Sequence, residues 1–224
     1  AKQALVLDFD TGTILLEKNA DDLMPPSSMS KLMTAYMAFE AIKAGRVKMD
    51  DMLPVSEKAW RMQGSKMFVH VGDRVKIEDL LKGIIVQSGN DACIVVAEGL
   101  AGSEEAFAEK ATKRARELGL SNSTFRNASG WPAEGHLMTA RDLSTLAKRI
   151  IIDFPEFYPF YSIRNFTYNG ITQGNRNPLL YKDIGADGLK TGHTEIAGYG
   201  LTASAKRDGR RLVLVVNGLG SIKQ

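Results

Sequence analysis

Residues 25–36 read Pro-Pro-Ser-Ser-Met-Ser-Lys-Leu-Met-Thr-Ala-Tyr, and the chain changes its hydrophobic period across them. Pro25 and Pro26 stop any regular element, Ser27 is placed to cap a helix, and from Ser28 to Ala44 apolar residues recur at helical spacing until Gly45 closes the run. Upstream, ALVLDF and TILLEK flank Asp10-Thr11-Gly12, which is how a hairpin is written; strands are expected near Ala4–Phe9 and Thr13–Lys18. Downstream, Lys48 to Lys76 is mixed, with an alternating run at Met67–Val71, a turn at Gly72-Asp73 and then the helical IEDLLKGIIV. Helices follow near Asp91–Leu100 and Ser103–Leu118. An irregular loop, Asn122 to Met138, holds Gly130, Pro132 and Gly135, after which Thr139 and Asp142 can cap a helix running to Ile152. The last third is strand-rich, with candidates at Asn165–Ile171, Gly188–Lys190, Tyr199–Lys206 and Arg211–Asn217.

Strands at both ends with helices between them predict an α+β fold, in which N- and C-terminal strands share one antiparallel sheet and a helical lobe is inserted between them. The length of 224 residues fits one domain, with a sheet lobe of about 1–27 and 160–224 and a helical lobe of about 28–159. The cleft between lobes is the expected ligand site. At 44% hydrophobic and 25% charged residues the chain is globular in composition, and its apolar runs fall far short of the ~18 residues that cross a bilayer. A net charge of +3 with mixed signs offers no clustered basic face, so nucleic acid is not an expected partner. The lone Cys93 permits neither an internal disulfide nor a cysteine zinc site, and reads as a small buried side chain. No basic segment followed by an apolar one opens the chain at Ala1, which fits a cytoplasmic protein or a cleaved export product.

Three short elements occur in order: Ser28-Met29-Ser30-Lys31, Ser88-Gly89-Asn90 and Lys190-Thr191-Gly192. Each is weak alone; the ordered set is not. Residues three apart on a helix share a face, so Lys31 projects beside Ser28. A serine hydroxyl needs a base, and lysine serves only when neutral; burial, a helix N-terminus and a nearby cation such as Lys190 all disfavour its ammonium form. Ser88 can relay a proton and Asn90 can both donate to and accept from a substrate amide. Lys190 and Thr191 suit a carboxylate, and Gly192 lets a substrate backbone approach. The backbone N–H groups of Ser28 and His193 can form an oxyanion hole, leaving the His193 side chain incidental. The simpler reading makes Ser28 a capping residue, Lys31 a solvated lysine and Asn90 a helix cap.

On these motifs, together with PPSSMSKLMTAY, SGNDA, SGWPAEGHLMTARDL, QGNRNPLL and GLKTGHTEIAGYGLTASAKRDG, the chain resembles serine-type D-alanyl-D-alanine carboxypeptidases over nearly its whole length. These are low-molecular-mass penicillin-binding proteins of the transpeptidase/β-lactamase fold. The resemblance implies an acyl-enzyme on Ser28 with Lys31 as base, Ser88 and Asn90 as helpers, Lys190 and Thr191 on the substrate carboxylate, and Arg176 near it. It implies peptidoglycan stem peptides ending in D-Ala-D-Ala as substrate, β-lactam antibiotics as acylating ligands, no cofactor, and export to the periplasm or the outer face of the cytoplasmic membrane. Membrane association is expected only through a tail absent from this chain, as are the family's further β-rich domain and a closing helix on the sheet. Rival readings are a β-lactamase or a D,D-endopeptidase of the same fold, and an inactive cell-wall-binding module.

Other signals are read structurally. Asp10-Thr11-Gly12 lacks the second carboxylate of an aspartic dyad and is a turn. Gly188-Leu189-Lys190-Thr191 lacks the spacing of a phosphate loop. His70, His136 and His193 lack metal-ligand spacing and read as surface or loop residues. Glu134 reads as a solvated loop acid, and Met24, Met29, Met33 and Met37 as core.

Overall fold

The computed structural model describes residues 1–224. Five strands, β1 (Gln3–Asp8), β2 (Ile14–Lys18), β7 (Ala186–Thr194), β8 (Gly198–Arg207) and β9 (Arg210–Leu219), form one antiparallel sheet in the order β2-β1-β9-β8-β7. The two ends of the chain meet at its centre, where β1 pairs with β9 in the register Leu5↔Val215 and Leu7↔Val213, so alternate residues of both strands enter the core. β8 returns to β9 through Asp208-Gly209, whose φ values of 51° and 79° suit a two-residue hairpin turn. β7 is left as an edge strand.

Between β2 and β7 lie six helices: α1 (Lys31–Lys43), α2 (Glu57–Arg61), α3 (Ile77–Gln87), α4 (Asn90–Ala101), α5 (Glu104–Glu117) and α6 (Ala140–Asp153). α1 is buried on nearly every side, which its sequence KLMTAYMAFEAIK allows, and it packs against α3, α4, α5 and α6. α6 is amphipathic and lays its apolar face on β1, β8 and β9. Side-chain caps begin α2, α5 and α6: Ser56, Ser103 and Thr139 accept from the backbone three residues on, at 3.1, 3.1 and 3.0 Å. No helix is long and apolar enough to cross a membrane.

Several local expectations are corrected. Ser28 opens no α-helix; Ser27–Ser30 form a 3-10 turn and α1 starts at Lys31. Ser27 does not cap, because its backbone has φ 54° and its buried hydroxyl has no partner. The alternating run Met67–Val71, for which no element was assigned, forms no strand; the Asp91 carboxylate takes its N–H groups at Met67, Phe68 and Val69. Asn165–Ile171 is not one strand but a hairpin, β5 (Asn165–Tyr168) with β6 (Ile171–Gly174), turning at Asn169-Gly170 with φ 50° and 74°. That hairpin packs on α3 and does not join the main sheet. β3 (Met52–Pro54) and β4 (Arg74–Lys76) add a small pair the sequence did not suggest.

Candidate active site

The 3-10 turn carrying Ser28 is clamped from two sides. Met29 is fully buried, and the Thr202 hydroxyl of β8 lies 3.4 Å from its sulfur. On the other side β7 comes so close that a Cβ at Gly192 would lie 3.0 Å from the Pro26 carbonyl oxygen and 3.2 Å from the Met29 nitrogen. Gly192 is therefore needed for the edge strand to meet the turn. Ser28 is half-buried at this junction, next to the left-handed Ser27, a backbone state that costs about 1 kcal/mol or more and is typical of functional sites.

Lys31 Nζ lies 2.7 Å from Ser28 Oγ and donates to the Ser129 carbonyl at 2.8 Å. The side chain is 1% exposed and no carboxylate pairs with it. Burial, with the Arg176 charge adding to it, brings the amine from an ordinary lysine value down to about 8. Lys190 is equally enclosed; burial first, then the charges of Lys31 and Arg176, hold it well below the lysine range. Its Nζ donates to Ser88 Oγ at 3.1 Å and to the Thr191 carbonyl at 3.1 Å. Ser88 ends α3 in a left-handed conformation, φ 54°, so its hydroxyl leaves the helix axis before α4 begins at Asn90. The site thus holds two hydroxyl–amine pairs, Ser28 with Lys31 and Ser88 with Lys190, each built on a buried amine.

Asn90 is tied to the loop before α3. Its side-chain amide donates to the Gln63 carbonyl at 2.9 Å and its backbone N–H to the Ser65 carbonyl at 2.8 Å. Arg176, exposed beyond β6, donates to Ser65 Oγ at 2.6 Å. Thr191 is half-buried on β7, and the exposed His193 ring stacks on Tyr199 with centroids 4.0 Å apart.

The D-alanyl-D-alanine carboxypeptidase family model matches residues 1–220. The chain belongs to this family. The D-alanyl-D-alanine carboxypeptidase DacC of Escherichia coli is 44% identical over 225 residues, spanning 97% of this chain and 56% of DacC. Among solved structures, penicillin binding protein 5 from Haemophilus influenzae has a TM-score of 0.97 at 39% identity, covering 100% of this chain and 66% of that one. Penicillin-Binding Protein D2 from Listeria monocytogenes, in its ampicillin-bound form, has a TM-score of 0.90 at 32% identity, covering 100% and 91%. The α+β fold with its antiparallel sheet is that of these penicillin-binding proteins. The chain spans a little over half the length of the curated relatives it matches.

Three supporting groups lie outside the residues singled out from the sequence. The Ser129 carbonyl that orients Lys31 is a backbone group. Its signal is Gly130, at φ 85°, where an added Cβ would lie only 2.0 Å from the Ser27 oxygen, so this loop and the Ser28 turn touch backbone to backbone. Asp91 fastens Met67, Phe68 and Val69 at 2.9, 2.9 and 3.1 Å, fixing the loop on which Gln63 and Ser65 stand. Ser65 holds Arg176. His136 lies in a loop, one of its two expected settings, and is buried there: it accepts the Arg126 N–H at Nδ1 (2.9 Å), and burial lowers it to about 4, so it is a neutral structural histidine. Glu134 is exposed, as a solvated acid should be.

Proposed function

We propose that this chain is the catalytic part of an exported D-alanyl-D-alanine carboxypeptidase that acts on peptidoglycan stem peptides through an acyl-enzyme on Ser28. The observation that carries the reading is the Lys31 amine, buried without a counter-ion and 2.7 Å from Ser28 Oγ. Burial makes the neutral amine accessible near neutral pH, and the Ser129 carbonyl takes one of its N–H bonds, leaving the lone pair for the serine proton. As Ser28 Oγ bonds to the penultimate D-Ala carbonyl carbon, its proton passes to Lys31 and the carbonyl electron pair moves onto oxygen, toward the N–H groups of Ser28 and His193. Collapse re-forms the carbonyl and breaks the C–N bond, and the proton on Lys31 reaches the departing D-Ala nitrogen by way of the Ser88 hydroxyl. Water then adds to the ester with Lys31 again as base, and Ser28 is released.

Lys190, Thr191 and Arg176 supply the positive charge and hydroxyl for the substrate's terminal carboxylate. The remaining amide hydrogen and the oxygen of Asn90 are available to the peptide backbone. A β-lactam, whose ring amide mimics the scissile bond, acylates the same serine. Penicillin treatment should add one β-lactam mass to the intact protein, at Ser28, and release of D-Ala from a pentapeptide should be stoichiometric with tetrapeptide formed. An unmodified mass on folded protein would refute the serine mechanism; steady turnover of a chromogenic β-lactam without D-Ala release would favour the β-lactamase reading.

A further inference from the structure

Residues 127–131, which carry the Ser129 carbonyl, are joined to the rest of the protein by three hydrogen bonds. Lys31 Nζ donates to the Ser129 carbonyl at 2.8 Å, the Thr34 hydroxyl donates to the Ala128 carbonyl at 2.6 Å, and the Ala128 N–H donates to Glu104 Oε2 at 3.2 Å. The bonds made by the Asn127 side chain, to the Ser129 and Gly130 N–H groups and the Trp131 carbonyl, close on the segment itself. They give it its shape but do not place it. Lys31 and Thr34 stand one turn apart on α1, so a single face of that helix holds two consecutive carbonyls.

Of the three ties, Thr34 is the one able to act as an anchor. The Lys31 bond involves the very group that has to be positioned, and Glu104 is shared with Lys58 at 3.1 Å and reaches Ala128 at the longest distance of the three. Thr34 is 2% exposed and Ala128 1%, so neither end of their bond can turn to water instead. A helical threonine has a nearer partner in the carbonyl four residues before it, and Thr112 and Thr145 both use theirs, at 3.0 and 3.2 Å. Thr34 directs its hydroxyl to the loop. We propose that Thr34 is a positioning residue for the reaction: by fixing the Ala128 carbonyl against α1 it sets the Ser129 carbonyl, and through it the direction in which the Lys31 amine meets Ser28 Oγ, an inference that rests on the reading of Lys31 as base. An amine that donates one N–H to a fixed carbonyl presents its lone pair along a fixed line. With the carbonyl adrift the amine turns, and its lone pair faces Ser28 for less of the time.

The test separates the two halves of the side chain. Thr34→Val keeps its shape without the hydroxyl, and Thr34→Ser keeps the hydroxyl without the methyl group. Penicillin acylation followed by intact mass should slow by about 10–100-fold in Thr34→Val, the span of a small misplacement of a reacting group, and by less than about threefold in Thr34→Ser. A role in packing alone predicts the reverse order. Thr34→Cys, whose thiol is a weak donor of similar size, should fall between the two and takes the place of Thr34→Val should that variant not fold. In a Lys31→Ala background Thr34→Val should add no further loss, because Thr34 acts through the Lys31 amine. Equal rates in Thr34→Val and the unaltered protein, slower acylation in Thr34→Ser than in Thr34→Val, or losses that multiply in the double variant overturn the inference and leave the carboxypeptidase reading standing. Undiminished acylation in Lys31→Ala alone overturns the assignment of the base, and the inference with it.

Discussion

Two enclosed cations meet β7 three residues apart, Arg211 at Asp187 and Lys190 itself, and are treated in opposite ways. At the first, Asp187 accepts two hydrogen bonds from Arg211, at 2.8 and 2.9 Å, and a third from the Tyr158 hydroxyl at 2.8 Å, while Ser204 takes another Arg211 N–H. At the second, Lys190 and Lys31 are enclosed with hydroxyls and carbonyls but no carboxylate. The first arrangement satisfies its charge and holds the strand in place. The second leaves positive potential unneutralised, which costs stability but suits the anionic substrate and the deprotonated amine of the proposed function.

The largest effect expected from breaking the uncompensated end is at Ser28. Ser28→Ala should eliminate the covalent penicillin adduct and lower D-Ala release by at least about 10⁴-fold, since it removes the proposed nucleophile. Intact mass and a D-Ala assay measure both. An adduct that persists in this variant would place the nucleophile elsewhere.

Lys31→Ala should lower the acylation rate by about 10²–10⁴-fold, the usual span for a general base. In the proposed mechanism the working form is the neutral amine, so in the unaltered protein acylation should rise with pH and level off above the Lys31 value of about 8. The rising limb should vanish in the variant. A limb that remains with the same midpoint would assign the titration to another group.

How much of this was legible beforehand follows from which atoms act. Ser28, Lys31, Ser88, Asn90 and Lys190 could be singled out as candidates because their side chains are set in recognisable short motifs, and the fold brings Ser28 to Lys31 and Ser88 to Lys190. The Ser129 carbonyl could not, because every residue has one; only Gly130 hints at the close approach. Asn169-Gly170 is a strong hairpin signal, yet the β-rich residues on both sides invite a single strand across it. The Met67–Val71 alternation could not be assigned for a different reason: its N–H groups are taken by a carboxylate from α4, a tertiary partner that period alone does not reveal.

At the compensated end, Asp187→Ala strands a guanidinium whose side chain is 13% exposed and removes the partner of the Tyr158 hydroxyl. Loss of one member of a largely buried pair costs about 3 kcal/mol, somewhat less where solvent reaches the site, as it does Asp187. The melting temperature should fall by roughly 5–10 °C for a chain of this size. An unchanged melting temperature would mean that the pair contributes nothing net.

The smallest effect should have the opposite sign. Lys190→Met keeps much of the side-chain volume but removes a cation that burial, Lys31 and Arg176 all disfavour, so the protein should gain about 1–2 kcal/mol while losing D-Ala release. The pH dependence separates this cause from better packing. A lysine whose folded value is depressed penalises the folded state fully below that value, and the penalty fades as pH rises toward the ordinary 10.5. The advantage of Lys190→Met in denaturant unfolding should therefore be greatest at low pH and shrink as pH rises. A gain that is flat with pH would assign it to packing, and a loss of stability would show that the hydrogen bonds from Lys190 to Ser88 and Thr191 outweigh the cost of its charge.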